Sequence, residues 1–270
     1  MFMSLFALLY QTSCTAKKEK KEEVAEYTVT SPLRVDTSFT KEYVSQIRSV
    51  QNIEIRAQEK GFLEKIFVDE GQYVSAGQTL FRIMPQLYQA ELLKAKAEVE
   101  QATIELENAS TLASNNIVSK NEKAMAKAKL DAANAEMKLA QIHLSFTDIK
   151  APFSGIINRI PLKQGSLVDE GDLMTSLSNN TEMYSYFNVS EPEYLNYQTH
   201  INDRGSKEVT LIMANGEPFP KKGQIQTIEG EFDNETGNIA FRAKFANPDK
   251  LLRNGETGKI QMVLPLKNAM

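Results

Sequence analysis

Cysteine is nearly absent from this chain: a single one, Cys14, stands among 270 residues. One thiol cannot close an intrachain bridge, so no disulfide framework holds the fold. Histidine is almost as scarce. His143 and His200 lie far apart in sequence with no second cysteine to join them, and no zinc motif can be written from that set. Tryptophan is missing altogether, and the few aromatics do not form the basic-aromatic stripe of a single-strand binder. Positive charge is not in excess either. The formal net charge is −4 and the pI about 5.5, which argues against a nucleic-acid partner, since such a partner calls for a basic face. No phosphate loop, nucleophile elbow or metal-binding histidine pair is present. The expectation is therefore a protein that is not an enzyme, with no catalytic residue, metal or cofactor. The apolar stretch Phe2 to Tyr10 is too short to cross a bilayer as a helix and reads as part of a signal segment, residues 1–13.

What the chain does have is one short passage written twice. The first copy runs from Ala57 through Gly61, Ile66, Val68 and Gly71 to Val74 and Gly77. The second runs from Ala151 through Gly155, Ile160, Leu162 and Gly165 to Val168 and Gly171. One offset, 94 residues, relates all three glycine pairs as well as Ile66 to Ile160 and Val74 to Val168. Glycine supplies positive φ at turns, and the apolar alternation between the glycines fits half-buried strands. Each copy thus predicts half of a small β-sandwich, residues 53–84 and 146–178, with the six glycines as structural turn residues.

Between the copies the apolar period changes from two to three and a half. Leu92, Ala95, Val99, Ala102, Leu106, Ala109 and Ala113 form one heptad seam, starting after Pro85, a residue tolerated in the first turn of a helix. Met125, Ala128, Ala132, Ala135, Leu139, Ile142 and Phe146 form a second. With the polar break Ser114-Asn115-Asn116 between them, residues 85–145 predict an antiparallel coiled-coil hairpin with arms of roughly 40 Å. Its small seam residues bury little area, which suits an element that completes its packing on neighbouring copies or a partner; a structural spacer is the alternative reading.

Residues 179–266 are again strand-like, with alternations Val209-Leu211-Met213, Ile239-Phe241-Ala243-Phe245 and Ile260-Met262-Leu264. Turn signals separate them. Ser190-Glu191-Pro192-Glu193 predicts a helix start with Ser190 as N-cap and Glu193 completing a capping box. Several strands and one helix predict a small β-barrel, and residues 27–52 supply N-terminal strands that join the barrel or a further region beside it. The acidic run Glu229, Glu231, Asp233 and Glu235 is explained better by a hairpin turn ending at Gly237 than by a calcium loop, because that glycine is misplaced for an EF-hand. The fold class is thus multi-domain and mainly β: a lipoyl-like split sandwich, an α-helical coiled-coil hairpin and a small barrel.

Two resemblances add to this reading. Gln11-Thr12-Ser13-Cys14 resembles the lipobox of bacterial lipoproteins, although Gln11 stands where a branched aliphatic is usual and no basic residue precedes the apolar stretch. That resemblance implies acylation of Cys14, with the charged run Lys17 to Glu23 as part of a solvated tether over residues 14–26; an incidental cysteine behind an ordinary signal is the alternative. The split halves, above all Ile149-Lys-Ala-Pro-Phe-Ser-Gly155, together with Asp233 to Pro248 and Leu251 to Gly255, resemble the periplasmic adaptors, or membrane fusion proteins, of tripartite efflux pumps, the AcrA/HlyD-like superfamily.

This second resemblance implies an adaptor linking an inner-membrane transporter to a TolC-type outer-membrane channel. The transporter would be an RND permease or, alternatively, an ABC exporter. It further implies self-association into a ring, a hexamer by family likeness, and a place in the periplasm at the inner membrane. The family's hairpin tip carries an arginine, a leucine and a serine at fixed spacing. Leu112 and Ser119 keep that spacing and are the channel-docking candidates, whereas Asn108 stands at the arginine position. Leu112 also reads as a seam-edge residue and Ser119 as an N-cap. The family's membrane-proximal domain is largely missing, so a fragment of a longer adaptor is expected. A biotin or lipoate carrier domain is the rival from another class; it needs a lysine on the turn joining the halves, where this chain has the hairpin.

Overall fold

The computed structural model describes Ser31 and residues 35–199 and 207–269. The signal segment, Cys14, the charged tether and His200 lie outside the described residues. One compact unit runs from Ser38 to Pro265. It holds two hydrophobic cores, threaded by two long strands, β1 (Val35–Arg56) and β8 (Leu173–Ser190).

Strands β1 and β8 pair antiparallel from Ser45↔Phe187 to Arg56↔Leu173, with a register shift between Ser49 and Gln51. On one side of that shift Ile47, Met183 and Phe187 enter the barrel core; on the other Ile55, Met174 and Leu177 enter the sandwich core. A buried polar knot marks the waist. Asn247 donates to the carbonyls of Asn180 (2.8 Å) and Leu252 (2.9 Å), and Asn180 Oδ1 accepts from Ser49 Oγ at 2.5 Å. Buried amides require partners, and this set satisfies them where the strand irregularity leaves backbone groups unpaired.

The barrel is completed by β9 (Glu208–Met213), β10 (Gly223–Ile228), β11 (Asn238–Ala246) and β12 (Thr257–Ala269). The order β1-β12-β9-β10-β11-β8, with β8 returning to β1, closes the sheet on itself and leaves these strands without a free edge. Alternation along β11 puts Ile239, Phe241, Ala243 and Phe245 inside, where Phe187 and Phe241 lie 5.6 Å apart. Helix α3 (Glu191–Thr199) follows Ser190 directly and seats Tyr197 against Phe241, edge-on at 5.2 Å. Glu193, expected in a capping box, forms an ion pair with Lys41. At the β10–β11 end the Asp233 carboxylate accepts the N–H groups of Glu235 and Thr236. Those bonds, Glu235's first, hold its carboxyl below the usual range, and they form the hairpin turn predicted there.

The sandwich uses β2 (Gly61–Ile66), β3 (Tyr73–Val74), β4 (Thr79–Ile83), β5 (Asp148–Lys150), β6 (Gly155–Ile157) and β7 (Leu167–Val168). Its hydrogen bonds repeat with the sequence offset. Gly71 N–H donates to Ile157 O at 2.8 Å, and Gly165 N–H donates to Leu63 O at 2.8 Å. Likewise Gly77 N–H reaches Ala151 O at 2.7 Å, and Gly171 N–H reaches Ala57 O at 2.9 Å. Each half therefore bonds to the other through the same positions, a pseudo-twofold arrangement in which neither half can bury its apolar face alone.

Candidate functional site

The hairpin consists of α1 (Gln86–Ser114) and α2 (Lys120–Phe146). At 1.5 Å per residue, α1 is roughly 43 Å long. Besides α1, α2 packs against β5 at the hairpin's base. The base is tied down by polar contacts. Tyr88 donates to Lys60 O at 2.9 Å, and His143 Nδ1 lies 2.5 Å from Glu59 Oε1. Burial, reinforced by the neighbouring Glu59 carboxylate, pushes the Tyr88 phenol up. Farther out, Lys129 bridges the arms to Glu105 at 2.5 Å. Bonds from Lys129 and Gln101 hold the Glu105 carboxyl below its ordinary value.

The α1 seam packs inward as its heptads predict: Ala95 and Ala102 are buried, and Leu92, Val99, Leu106, Ala109 and Ala113 are half-buried. The α2 seam does not. Met125, Ala128, Ala132, Ala135, Leu139, Ile142 and Phe146 are all exposed, and the adjoining stripe, one or two residues on, Ala126, Leu130, Ala133, Met137, Ala140 and Leu144, faces α1 instead. Both stripes alternate three- and four-residue steps, and one partner helix can cover only one of them. The result is an apolar stripe along the outside of α2, with Met125 69% and Leu139 49% exposed.

At the tip, α1 ends at Ser114 and the chain turns through Asn116, which takes φ of +58°, a conformation asparagine tolerates better than most residues. Ile117 N–H returns to Leu112 O at 2.9 Å, which brings these two apolar residues to one end of the hairpin. Leu112 is 39% and Ile117 67% exposed. Ser119 is the N-cap of α2, with an extended backbone and an Oγ that accepts from Glu122 N–H at 3.2 Å. Asn108 is exposed one turn before Leu112. Ile117 was missed as a tip residue in the sequence; a lone isoleucine beside asparagines in a helix break was its only signal.

The six repeat glycines divide in two. Gly71, Gly77, Gly165 and Gly171 occupy turns with positive φ. Gly61 and Gly155, expected as turn residues, instead open strands β2 and β6, Gly61 with a φ of +152° that itself favours glycine. A Cβ at Gly155 would stand 2.6 Å from Ser178 O, and one at Gly61 would stand 2.7 Å from Ile83 Cγ2. The lack of a side chain there serves close approach.

Among the described residues no helix is long and apolar enough to cross a membrane, and no group of three or more His, Cys, Asp or Glu could hold a metal ion. Residues 51–177 match the family described as "RND MFP, barrel-sandwich hybrid domain", and residues 182–265 match "RND MFPs, beta-barrel domain". The chain is 31% identical over 251 residues to the antibiotic efflux pump periplasmic linker protein ArpA of Pseudomonas putida, covering 87% of this chain and 68% of that one. It is 29% identical over 270 residues to the multidrug export protein AcrE of Escherichia coli (strain K12), covering 90% and 69% respectively. The chain spans about two thirds of the length of such relatives. In fold it is similar to a MacA-MexA chimeric protein containing the Pseudomonas aeruginosa MexA alpha-hairpin domain, with a TM-score of 0.72 and 21% identity over 87% of this chain and 82% of that one.

Proposed function

The chain belongs to the membrane fusion proteins of RND efflux pumps, and on that premise we propose that it is a periplasmic adaptor joining an inner-membrane RND permease to a TolC-type outer-membrane channel. The observation that carries this reading is the hairpin itself. It is roughly 43 Å long, is tied to the sandwich at its base, and ends in exposed Leu112 and Ile117. An apolar end on a long arm fits docking to another protein, since adjoining exposed apolar side chains form a patch that a partner can bury.

In this proposal Cys14 carries the acyl chains that hold the protein at the inner membrane. Copies associate side by side into a ring, a hexamer by family likeness, and the outer stripe of α2 meets the neighbouring hairpin. Leu112 and Ile117 touch the channel, while Ser119 shapes the turn that presents them. The work is scaffolding: the adaptor seals a conduit and carries out no chemistry.

Affinity purification of the tagged chain from crosslinked cells tests this. Recovery of an RND permease together with an outer-membrane channel is expected; recovery of an ABC ATPase in place of the permease would overturn the choice of transporter. Leu112→Asp is expected to reduce channel recovery at least tenfold with the sandwich and barrel still folded. Undiminished recovery would remove Leu112 from the docking surface.

A further inference from the structure

The outer face of the barrel where β1, β8 and β11 run side by side carries a cleft of about 680 Å³. The registers Arg48↔Tyr184 and Gln46↔Tyr186 on one side, and Arg242↔Tyr186 on the other, put two arginines and two tyrosines on that face. The guanidiniums lean diagonally inward. Arg242 lies over the Tyr184 ring at 4.5 Å and Arg48 over the Tyr186 ring at 5.7 Å, with the two rings edge-on at 6.4 Å. Stacking on aromatic faces orients a guanidinium while leaving its N–H edge free to donate.

Among the described residues none that lines the cleft is acidic. In a chain whose formal net charge is −4, two arginines facing one cleft without a carboxylate are a local reversal of sign. Among the described residues neither arginine has an ion-pair partner. Arg48 bonds Gln46 at 3.2 Å and Arg242 bonds Thr227 at 2.7 Å, both neutral. Glu182, two positions before Tyr184, is committed to Lys244 at 2.7 Å. The Nε–H of Arg242 is buried without a partner, so this cation bears a desolvation cost that a bound anion would offset.

The amides around the arginines point the same way. Gln46 Oε1 accepts from Arg48, Asn52 Oδ1 accepts from Ser178 Oγ at 2.9 Å, and Asn254 Oδ1 accepts from Ser49 N–H at 3.0 Å. All three acceptor oxygens are engaged by the protein, and each amide keeps its NH₂ group. Among the described residues the charged and amide side chains of the cleft thus offer N–H donors, and no carboxylate competes for them. Arginine forks match carboxylate geometry in two-point contacts.

We propose that this cleft binds the carboxylates of an extended acidic segment of a partner protein. The cleft is open along the sheet face, has room for several anionic groups, and has a wall more polar than apolar, which suits an anionic partner better than a lipid chain or a hydrophobic compound. These features favour successive Asp or Glu side chains on an extended segment over one small anion. The proposal is independent of channel docking, since it uses the barrel and not the hairpin.

Fluorescence anisotropy of a fluorescein-labelled hexaglutamate peptide titrated with the full chain tests it, with hexaserine as the neutral control. Arg48→Gln, at an exposed position, is expected to weaken binding about tenfold, and the Arg48→Gln/Arg242→Gln pair to abolish it. Lys94→Gln, on the hairpin, is expected to leave it unchanged. Arg48→Gln decides the question even where loss of Arg242 disturbs Tyr184. Equal affinity in wild type and Arg48→Gln, or an equal loss in Lys94→Gln, would overturn the site. Displacement of the peptide by inorganic phosphate at matched charge would overturn the acidic segment in favour of a free oxyanion. Arg48-dependent binding to phosphatidylglycerol vesicles without peptide binding would overturn it in favour of a membrane surface.

Discussion

Gly155→Ala is the most direct test of how the two sandwich halves interlock. The new Cβ would sit 2.6 Å from Ser178 O and 3.0 Å from Ser178 C, both backbone atoms of β8. An ordinary carbon–oxygen contact is about 3.3 Å, so β6 and β8 must separate by roughly 0.7 Å. Neither strand can swing aside. Ile156 and Ile157 pair with Ser178 and Leu177, and Asn158 donates to Ser176 Oγ and Ser178 Oγ at 2.8 and 2.9 Å. Ser178 in turn donates to Asn52. Overpacking of this kind costs about 1–3 kcal/mol, and weakening one or two of those bonds adds about 1 kcal/mol. Gly71→Ala is the control: its Cβ meets nothing within 4 Å, but φ is +78°. Left-handed backbone alone costs about 1–2 kcal/mol there. Calorimetry should show Gly155→Ala melting about 5–10 °C below wild type and below Gly71→Ala as well. A Gly155→Ala variant as stable as Gly71→Ala would show that the strands yield to the methyl and that close approach is not what glycine serves at this position.

Three further outcomes follow from the hairpin. Ser119→Ala removes the cap on Glu122 N–H and costs about 1 kcal/mol, which hydrogen exchange should report as about fivefold faster opening of the first turn of α2. Leu139→Ser and Ile142→Ser lie on the outer stripe and should change stability by no more than about 0.5 kcal/mol, while sedimentation shows weaker self-association; Met137→Ser, on the packed stripe, should lower the melting temperature instead. Tyr88 has a folded pKa above its unfolded value of about 10, so its contribution is fully present below that value and is lost as pH rises through the folded pKa. Thermal melts from pH 8 to pH 11 should therefore fall less steeply for Tyr88→Phe than for wild type.

The sequence showed most clearly what repeats or alternates. The shared offset of the glycines and aliphatics foreshadowed the paired halves, because the turn glycines make the same hydrogen bonds twice. The α1 seam was readable because α1 offers one apolar stripe. The α2 seam was misread because that helix carries two, and periodicity does not say which of two equal stripes a partner will cover. Barrel closure between β1 and β8 was hidden for a different reason. Strand pairing over such separations leaves no local mark, and the polar knot at Asn180 and Asn247 resembles loop chemistry until the strands meet. The tip turn was visible, but the partnership of Leu112 with Ile117 depends on a backbone bond across a left-handed asparagine.

The pairing of β4 with β5 has a kinetic side. Ile83 and Asp148 are 65 positions apart in sequence, yet Arg82 pairs with Asp148 and holds it by an ion pair of 2.7 Å. Closing a flexible loop of that length costs about 2.5 kcal/mol more than closing a tight turn of four residues. A helical hairpin removes most of that search, since two arms that zip from the tip deliver their far ends side by side. Helix growth takes nanoseconds per residue, far less than the assembly of non-local strands. The arm that reaches outward in the finished molecule is thus also the clamp that lets the two halves of the sandwich find each other, and the sandwich's folding rate is tied to how readily α1 and α2 coil.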